Sequence, residues 1–193
     1  MSVRSFVAVP LEGPVKEALV AAQSALRKQL SNDVVVRWTK PAQFHLTLEF
    51  LGDLSDEEVA AAKERVRAAS QRVTPFGLEL TTLSSFGRPP RVVWVGVAGE
   101  LGCLQRLQQH VASGSSDATS SGKFSSGKFR PHLTLGRIKR PPPPDELRQV
   151  LEHIDIPRQR WTVREIILYQ SSLSRTGAHY TPLLRRSLAA SPK

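Results

Sequence analysis

"FHLTLEFLGDL" at residues 44–54 and "RPHLTLGRIKR" at 130–140 share the string His-Leu-Thr-Leu, and the two copies begin 132 − 45 = 87 residues apart. Four letters prove little alone; the chain also writes SSGKF twice in tandem at 120–129. The surroundings give the pair its weight. Ahead of the first copy, Val3–Val9 reads as a strand and a turn follows at "EGP". In "VKEALVAAQSALRKQL" (15–30), Val15, Leu19, Ala22, Leu26 and Leu30 recur at three- and four-residue steps, the pattern of an amphipathic helix. The first copy, bounded by Pro41 and Gly52, is a strand over 44–52. "SDEEVAAAKERVRAAS" (55–70) opens with a Ser cap and an acidic first turn, so it is a second helix. "FGLELTTLSSF" (76–86) returns to strand character.

The second half repeats the order. "RVVWVGV" (91–97) reads as a strand, "ELGCLQRLQQHVAS" (100–113) as a helix, and "PHLTLGRI" (131–138) as a strand. "PDELRQVLEHI" (144–154) is a helix with Pro in its first turn, and "REIILYQSSLS" (164–174) is a strand. Even the third strands correspond: "LELTTLSSF" and "IILYQSSLS" both run from alternating apolar residues into a Ser-rich exit. A match over five elements predicts two similar lobes, the first from about 1–88 and the second from about 89–185.

Between the second-half helix and its HLTL strand lies "SGSSDATSSGKFSSGK" (113–128), with too few apolar residues to pack, which predicts a flexible loop. Lys123 and Lys128 within it are either contacts for an anionic substrate or parts of a solvated linker. "RPPPPDE" (140–146) is a rigid spacer, and within the last residues, "RRSLAASPK" (185–193), a frayed tail is read over 186–193.

Composition narrows the classes. The 193 residues suffice for a true core without covalent staples. The single cysteine, Cys103, excludes an internal disulfide and a multi-cysteine metal site; a buried thiol in a reducing compartment is expected. Its N-terminal apolar run, Phe6 to Pro10, is too short for a signal peptide or a span, and no stretch approaches eighteen apolar residues. A cytoplasmic protein, monomeric for want of an exposed apolar seam, is the expectation. Twenty-seven Lys and Arg against seventeen Asp and Glu give a net charge of +10, a field that concentrates polyanions such as nucleic acid.

Residues two apart in a strand face the same way. His45 and Thr47 therefore point to one side and Leu46 and Leu48 to the other, and His132 and Thr134 behave alike. If the lobes face one another, two imidazoles and two hydroxyls meet in one cleft. Breaking a P–O ester by in-line attack needs one group to take a proton and another, across phosphorus, to give one. Histidine, with an unperturbed pKa of about 6.5, serves either role. Threonine hydroxyls can donate to the non-bridging oxygens where charge develops. The scheme requires no metal or cofactor, and the chain carries no HxH, HExxH, Asp-rich or Cys/His cluster.

Arg137, five residues after His132, falls on the wrong face of a regular strand. Gly136 predicts a bulge that turns it into the cleft as a phosphate contact. The equivalent first-half residue is Phe50, read as core, with packing against a base or ribose as the alternative. His110 and His153 sit in helical patterns without matched partners. His179, Tyr169 and Tyr180 either line the pocket or serve strand pairing.

With these residues in hand, the chain resembles the 2H phosphoesterases, named for two His-x-Thr motifs, and within them the bacterial and archaeal RNA 2′,3′-cyclic phosphodiesterases, also called 2′-5′ RNA ligase-like proteins. The resemblance rests on "RSFVAVPL", "WTKPAQFHLTLEFLGDL", "FGRPPRVVWVGV", "FRPHLTLGRIKR" and "SSLSRTGAHYTPL", spread over nearly the whole chain. It implies a bilobal α+β fold with two antiparallel sheets flanking a cleft and helices outside. It also implies metal-independent hydrolysis of RNA 2′,3′-cyclic phosphate ends, on tRNA-derived or small oligonucleotides, to 2′-phosphates. His45, Thr47, His132 and Thr134 would be the catalytic set, with Arg137 on phosphate. Some relatives also run the reverse 2′-5′ ligation without ATP. His132 is assigned as base and His45 as acid, roles that quasi-symmetric motifs leave interchangeable. The alternatives are a phosphodiesterase for small cyclic nucleotides or RNA 3′ ends, and a non-catalytic RNA-binding module.

Overall fold

The computed structural model describes residues 2–113, 129–174 and 177–190. The predicted 113–128 loop, with Lys123 and Lys128, lies almost wholly outside the described residues. The elements run β1 (Val3–Pro10), α1 (Gly13–Gln29), β2 (Val35–Trp38), a 3-10 turn (Pro41–Gln43), β3 (His45–Leu54), α2 (Asp56–Ser70), β4 (Phe76–Phe86), β5 (Val92–Gly99) and α3 (Leu101–Ala112). They continue with β6 (His132–Arg140), α4 (Pro144–His153), β7 (Arg160–Val163), β8 (Glu165–Ser174) and β9 (Gly177–Ser187). Among the described residues no helix is long and apolar enough to cross a membrane.

The strands form two sheets, β3-β1-β8-β9 and β2-β6-β5-β4-β7, with every pairing antiparallel. The sheets do not coincide with the halves of the sequence. Each sheet places a half's first strand, β1 or β5, beside its own HLTL strand, and takes its third strand from the other half: β8 beside β1, β4 beside β5. The helices follow the same exchange. α2 packs on the first sheet and α3 lies against α2, while α4 packs on β4 and α1 lies against α4. The result is an α+β fold whose two pseudo-equivalent units are interlocked.

Local chemistry explains the elements. Ser55 caps α2: its hydroxyl accepts from the Glu58 N–H at 3.2 Å and the Glu58 carboxylate returns a bond to the Ser55 N–H at 2.7 Å, satisfying two end donors of the helix. The leucines of the two motifs, Leu46, Leu48, Leu133 and Leu135, are at most 3% exposed. Burying each is worth about 1.5–3 kcal/mol, so both HLTL strands are held by one face and leave the other for the cleft.

Two short strands, β2 and β7, and the long β9 were not read from the sequence. β2 and β7 are four-residue edge strands, too brief to show a period. The frayed tail begins later than expected. β9 runs to Ser187, Leu188 is 6% exposed, and the Ala189 N–H donates to the Ser70 and Val73 carbonyls. One buried leucine and two backbone bonds anchor what composition marked as loose.

Candidate active site

The two histidines sit in equivalent settings. His45 Nδ1 lies 2.7 Å from the Gln43 carbonyl oxygen, and His132 Nδ1 lies 2.8 Å from the Arg130 carbonyl oxygen. A carbonyl only accepts, so each neutral ring carries its proton on Nδ1 and keeps Nε2 as an open acceptor. In both motifs the orienting carbonyl is two residues upstream. A local strand entry thus fixes the tautomer twice.

Aromatic side chains seat each ring. His45 meets Phe6 at 4.8 Å and the edge of Tyr180 at 5.3 Å between centroids. His132 meets Phe86 edge-on at 4.9 Å and Trp94 at 5.9 Å, and Phe86 and Trp94 stack at 4.6 Å. Sequence reasoning missed Phe6, Phe86 and Trp94, because an aromatic in a strand reads as ordinary core. Tyr169 and Tyr180, left open between pocket and pairing, both pack on Phe6 at 5.2 and 4.9 Å.

This packing sets the proton affinities. Burial drives the His45 pKa down to about 4, against the hydrogen bond to the Gln43 carbonyl, and positive charge on His132 lowers it further. Burial also lowers His132; the Arg130 carbonyl opposes it and the Arg137 guanidinium reinforces it. Both imidazoles are therefore neutral in the free protein at pH 7. His45 thus feels charge on the histidine of the other sheet, while His132 feels Arg137 on its own strand. Burial raises the phenols of Tyr169 and Tyr180, with Arg137 pulling Tyr180 back.

Thr47 stands opposite Ala8 and Thr134 opposite Trp94, each on the face of its histidine. Arg137 reaches that face by a route different from the one expected. The extra residue is Leu135, not Gly136: Thr134 pairs with Trp94 and Gly136 with the next residue back, Val93. Gly136 serves close packing instead, since a Cβ there would fall 2.6 Å from Val36 Cγ1. The same bulge recurs in β3, where Thr47 pairs with Ala8, Glu49 with Val7, and Leu48 is extra.

That recurrence corrects the reading of Phe50 as core. Its side chain is 57% exposed, 5.9 Å from the Phe6 ring. The bulge at Leu48 shifts the alternation, so Phe50 joins the His45 face as Arg137 joins the His132 face. Cys103 is likewise not buried. It is half-buried at the start of α3, where Arg106 Nη2 donates to its sulfur at 3.1 Å. His153 is capped by the Gln149 carbonyl at 2.7 Å on α4, and His179 is exposed on β9.

Gln23 was also missed. It is 6% exposed on α1, and its Nε2 donates to the Thr39 and Leu135 carbonyls, both at 2.8 Å. Leu135 is the bulged residue, so a buried amide pins the irregularity that aims Arg137. A lone Gln within an apolar helical stripe was the available signal. Among the described residues no group of three His, Cys, Asp or Glu side chains stands where it could hold a metal ion.

Comparison with known proteins identifies relatives of this chain. The profile of the 2'-5' RNA ligase superfamily matches residues 43–175. The RNA 2',3'-cyclic phosphodiesterase of Aeropyrum pernix is 37% identical over 179 residues, covering 90% of this chain and 98% of that protein. A crystal structure from Thermus thermophilus superposes with a TM-score of 0.76 at 29% identity, covering 97% of this chain and 98% of that one. Escherichia coli LigT in apo form gives a TM-score of 0.71 at 29% identity, covering 98% of this chain and 99% of that one. With one profile spanning both His-x-Thr strands and a relative alignable over nearly its whole length, this chain belongs to the 2'-5' RNA ligase superfamily.

Proposed function

We propose that the protein hydrolyses the terminal 2′,3′-cyclic phosphate of RNA to a 2′-phosphate. The observation that carries the reading is the pair of imidazoles with matched carbonyl anchors and open Nε2 atoms, mounted on HLTL strands of different sheets that touch one another. Its relatives' names, RNA 2',3'-cyclic phosphodiesterase, supply the substrate class.

In this scheme water attacks phosphorus while His132 Nε2 accepts its proton. The P–O3′ bond breaks and His45 Nε2–H delivers a proton to the departing O3′. Thr47, Thr134 and Arg137 hold the two non-bridging oxygens as charge grows there. The neighbours of the two rings fit this assignment. Burial first, and the Arg137 guanidinium after it, keep His132 unprotonated, as a base must be. His45, lowered by burial and by positive charge on His132, takes up its proton only beside the bound phosphate anion. Phe50 offers an exposed face for a base, a contact worth about 1–3 kcal/mol. Replacing water by an RNA 5′-hydroxyl acting on the same phosphorus would give a 2′-5′ linkage without ATP. A cytoplasmic monomer acting on tRNA-derived or small oligonucleotide ends completes the reading.

The test is an oligonucleotide bearing a 2′,3′-cyclic phosphate, incubated with and without EDTA, with the product's phosphate located. Activity that survives chelation and leaves a 2′-phosphate is expected. Loss of about a hundredfold or more is expected in His45→Ala and in His132→Ala. A 3′-phosphate product would sink the geometry, since the 2′ oxygen would then be leaving. Unaltered RNA binding with no turnover would favour a binding module instead.

A further inference from the structure

The register of the second sheet places a second arginine beside Arg137. Arg37 on β2 is the direct cross-strand partner of Arg137 on β6. Directly opposed residues project from the same face of a sheet, so Arg37 shares the face of Arg137, Thr134 and His132. Arg137 is in turn opposite Val92, and Val92 opposite Phe86, so one row crosses the sheet from Phe86 to Arg37. Both guanidinium-bearing residues are exposed, and among the described residues neither has an ion-pair partner. Two like charges placed opposite one another are unfavourable in the empty protein. Phosphate anions bound beside them remove the conflict.

Arg37 is also positioned from the first sheet. One of its terminal nitrogens lies 3.3 Å from where a Cβ on Gly177 would stand, and Gly177 has φ +122°, so the start of β9 leaves room for this fork. Gln43 Nε2 donates to the Ala178 carbonyl and ties β9 to the turn that precedes His45. The fork thus sits where the two sheets meet.

A cyclic phosphate has only two non-bridging oxygens, and Thr47, Thr134 and Arg137 already supply donors for them. Arg37 stands one strand further out than Arg137, and its fork is set against Gly177 at the start of β9, so it is placed for a second phosphate beside the one that Arg137 takes. Resting on the activity proposed above, we infer that Arg37 binds the next phosphodiester along the RNA, on the 5′ side of the terminal nucleotide. The natural substrate is then an oligonucleotide end rather than a cyclic mononucleotide, and Arg37 is a residue that determines this preference.

The experiment compares a dinucleotide ending in a 2′,3′-cyclic phosphate with 2′,3′-cyclic AMP, in the full-length protein and in Arg37→Ala and Arg37→Lys. In Arg37→Ala the ratio of kcat/KM for dinucleotide over mononucleotide falls about tenfold, mostly through KM. The slope of log(kcat/KM) against log[salt] for the dinucleotide becomes shallower by about one, as loss of one phosphate contact requires. Arg37→Lys, which keeps the charge without the fork, falls between. An unchanged ratio, or equal losses on both substrates, overturns the inference while leaving the proposed activity standing. A wild-type protein that cleaves neither substrate overturns both.

Discussion

His45 and His132 each give Nδ1–H to a carbonyl and are surrounded by aromatic rings, so both resist protonation. The profile of kcat/KM reports the free protein, in which both pKa values lie below 6.5 and that of His45 is about 4. The base needs a pH above its value and the acid a pH below its own, so kcat/KM should peak below pH 6.5. The profile of kcat, read with the phosphate anion bound, should shift upward. A kcat/KM optimum at or above pH 7.5 would contradict the burial that sets these values. Stability follows the same sign: a depressed imidazole binds its proton better in the unfolded chain, so stability is full above about pH 6.5 and falls as pH drops toward 4. A substrate whose leaving group needs no proton, such as a nitrophenyl phosphodiester, separates the roles. It should restore activity to His45→Ala and not to His132→Ala.

The bulge is the decisive element. In β3 and in β6 the second leucine of HLTL is the inserted residue, and it turns the position two residues further on, Phe50 or Arg137, onto the histidine face. Extra residues in a ladder leave backbone groups to be satisfied elsewhere, and in β6 the Leu135 carbonyl accepts from the Thr39 N–H and from Gln23. Gln23→Leu should cost about 1–3 kcal/mol in urea unfolding, and it should raise KM by letting Arg137 swing. If Gln23 acts through Arg137, the KM effects of Gln23→Leu and Arg137→Ala will not add. Additive effects would make Gln23 a stability residue alone.

At the scale of the molecule, the exchange of third strands makes each sheet depend on both halves of the chain. A fragment 1–88 keeps β1 and β3 but loses β8 and β9, and carries β4 without β5 and β6 to pair with. Fragments 1–88 and 89–193 should each remain unfolded alone by circular dichroism and recover the far-UV signal when mixed. A folded 1–88 fragment would show that the interlocking is not required. The same exchange sets the two HLTL strands against one another, in equivalent places of two interlocked units.

Much of this was legible in the residues themselves. Period-two alternation put His45, Thr47, His132 and Thr134 on one face of their strands, and three-four spacing together with caps and first-turn residues located the four helices, because those patterns are local. Arg137's direction was anticipated through the wrong residue, since a bulge is fixed by its partner strand and not by the glycine beside it. Phe50's exposure, the pairing of Arg37 with Arg137, and the aromatic seats of both imidazoles depend on register between segments far apart in the chain. So does the traded third strand, which no local pattern encodes: a strand's own alternation says which face is buried, whereas its neighbours are chosen by the lowest free energy of the whole packed core.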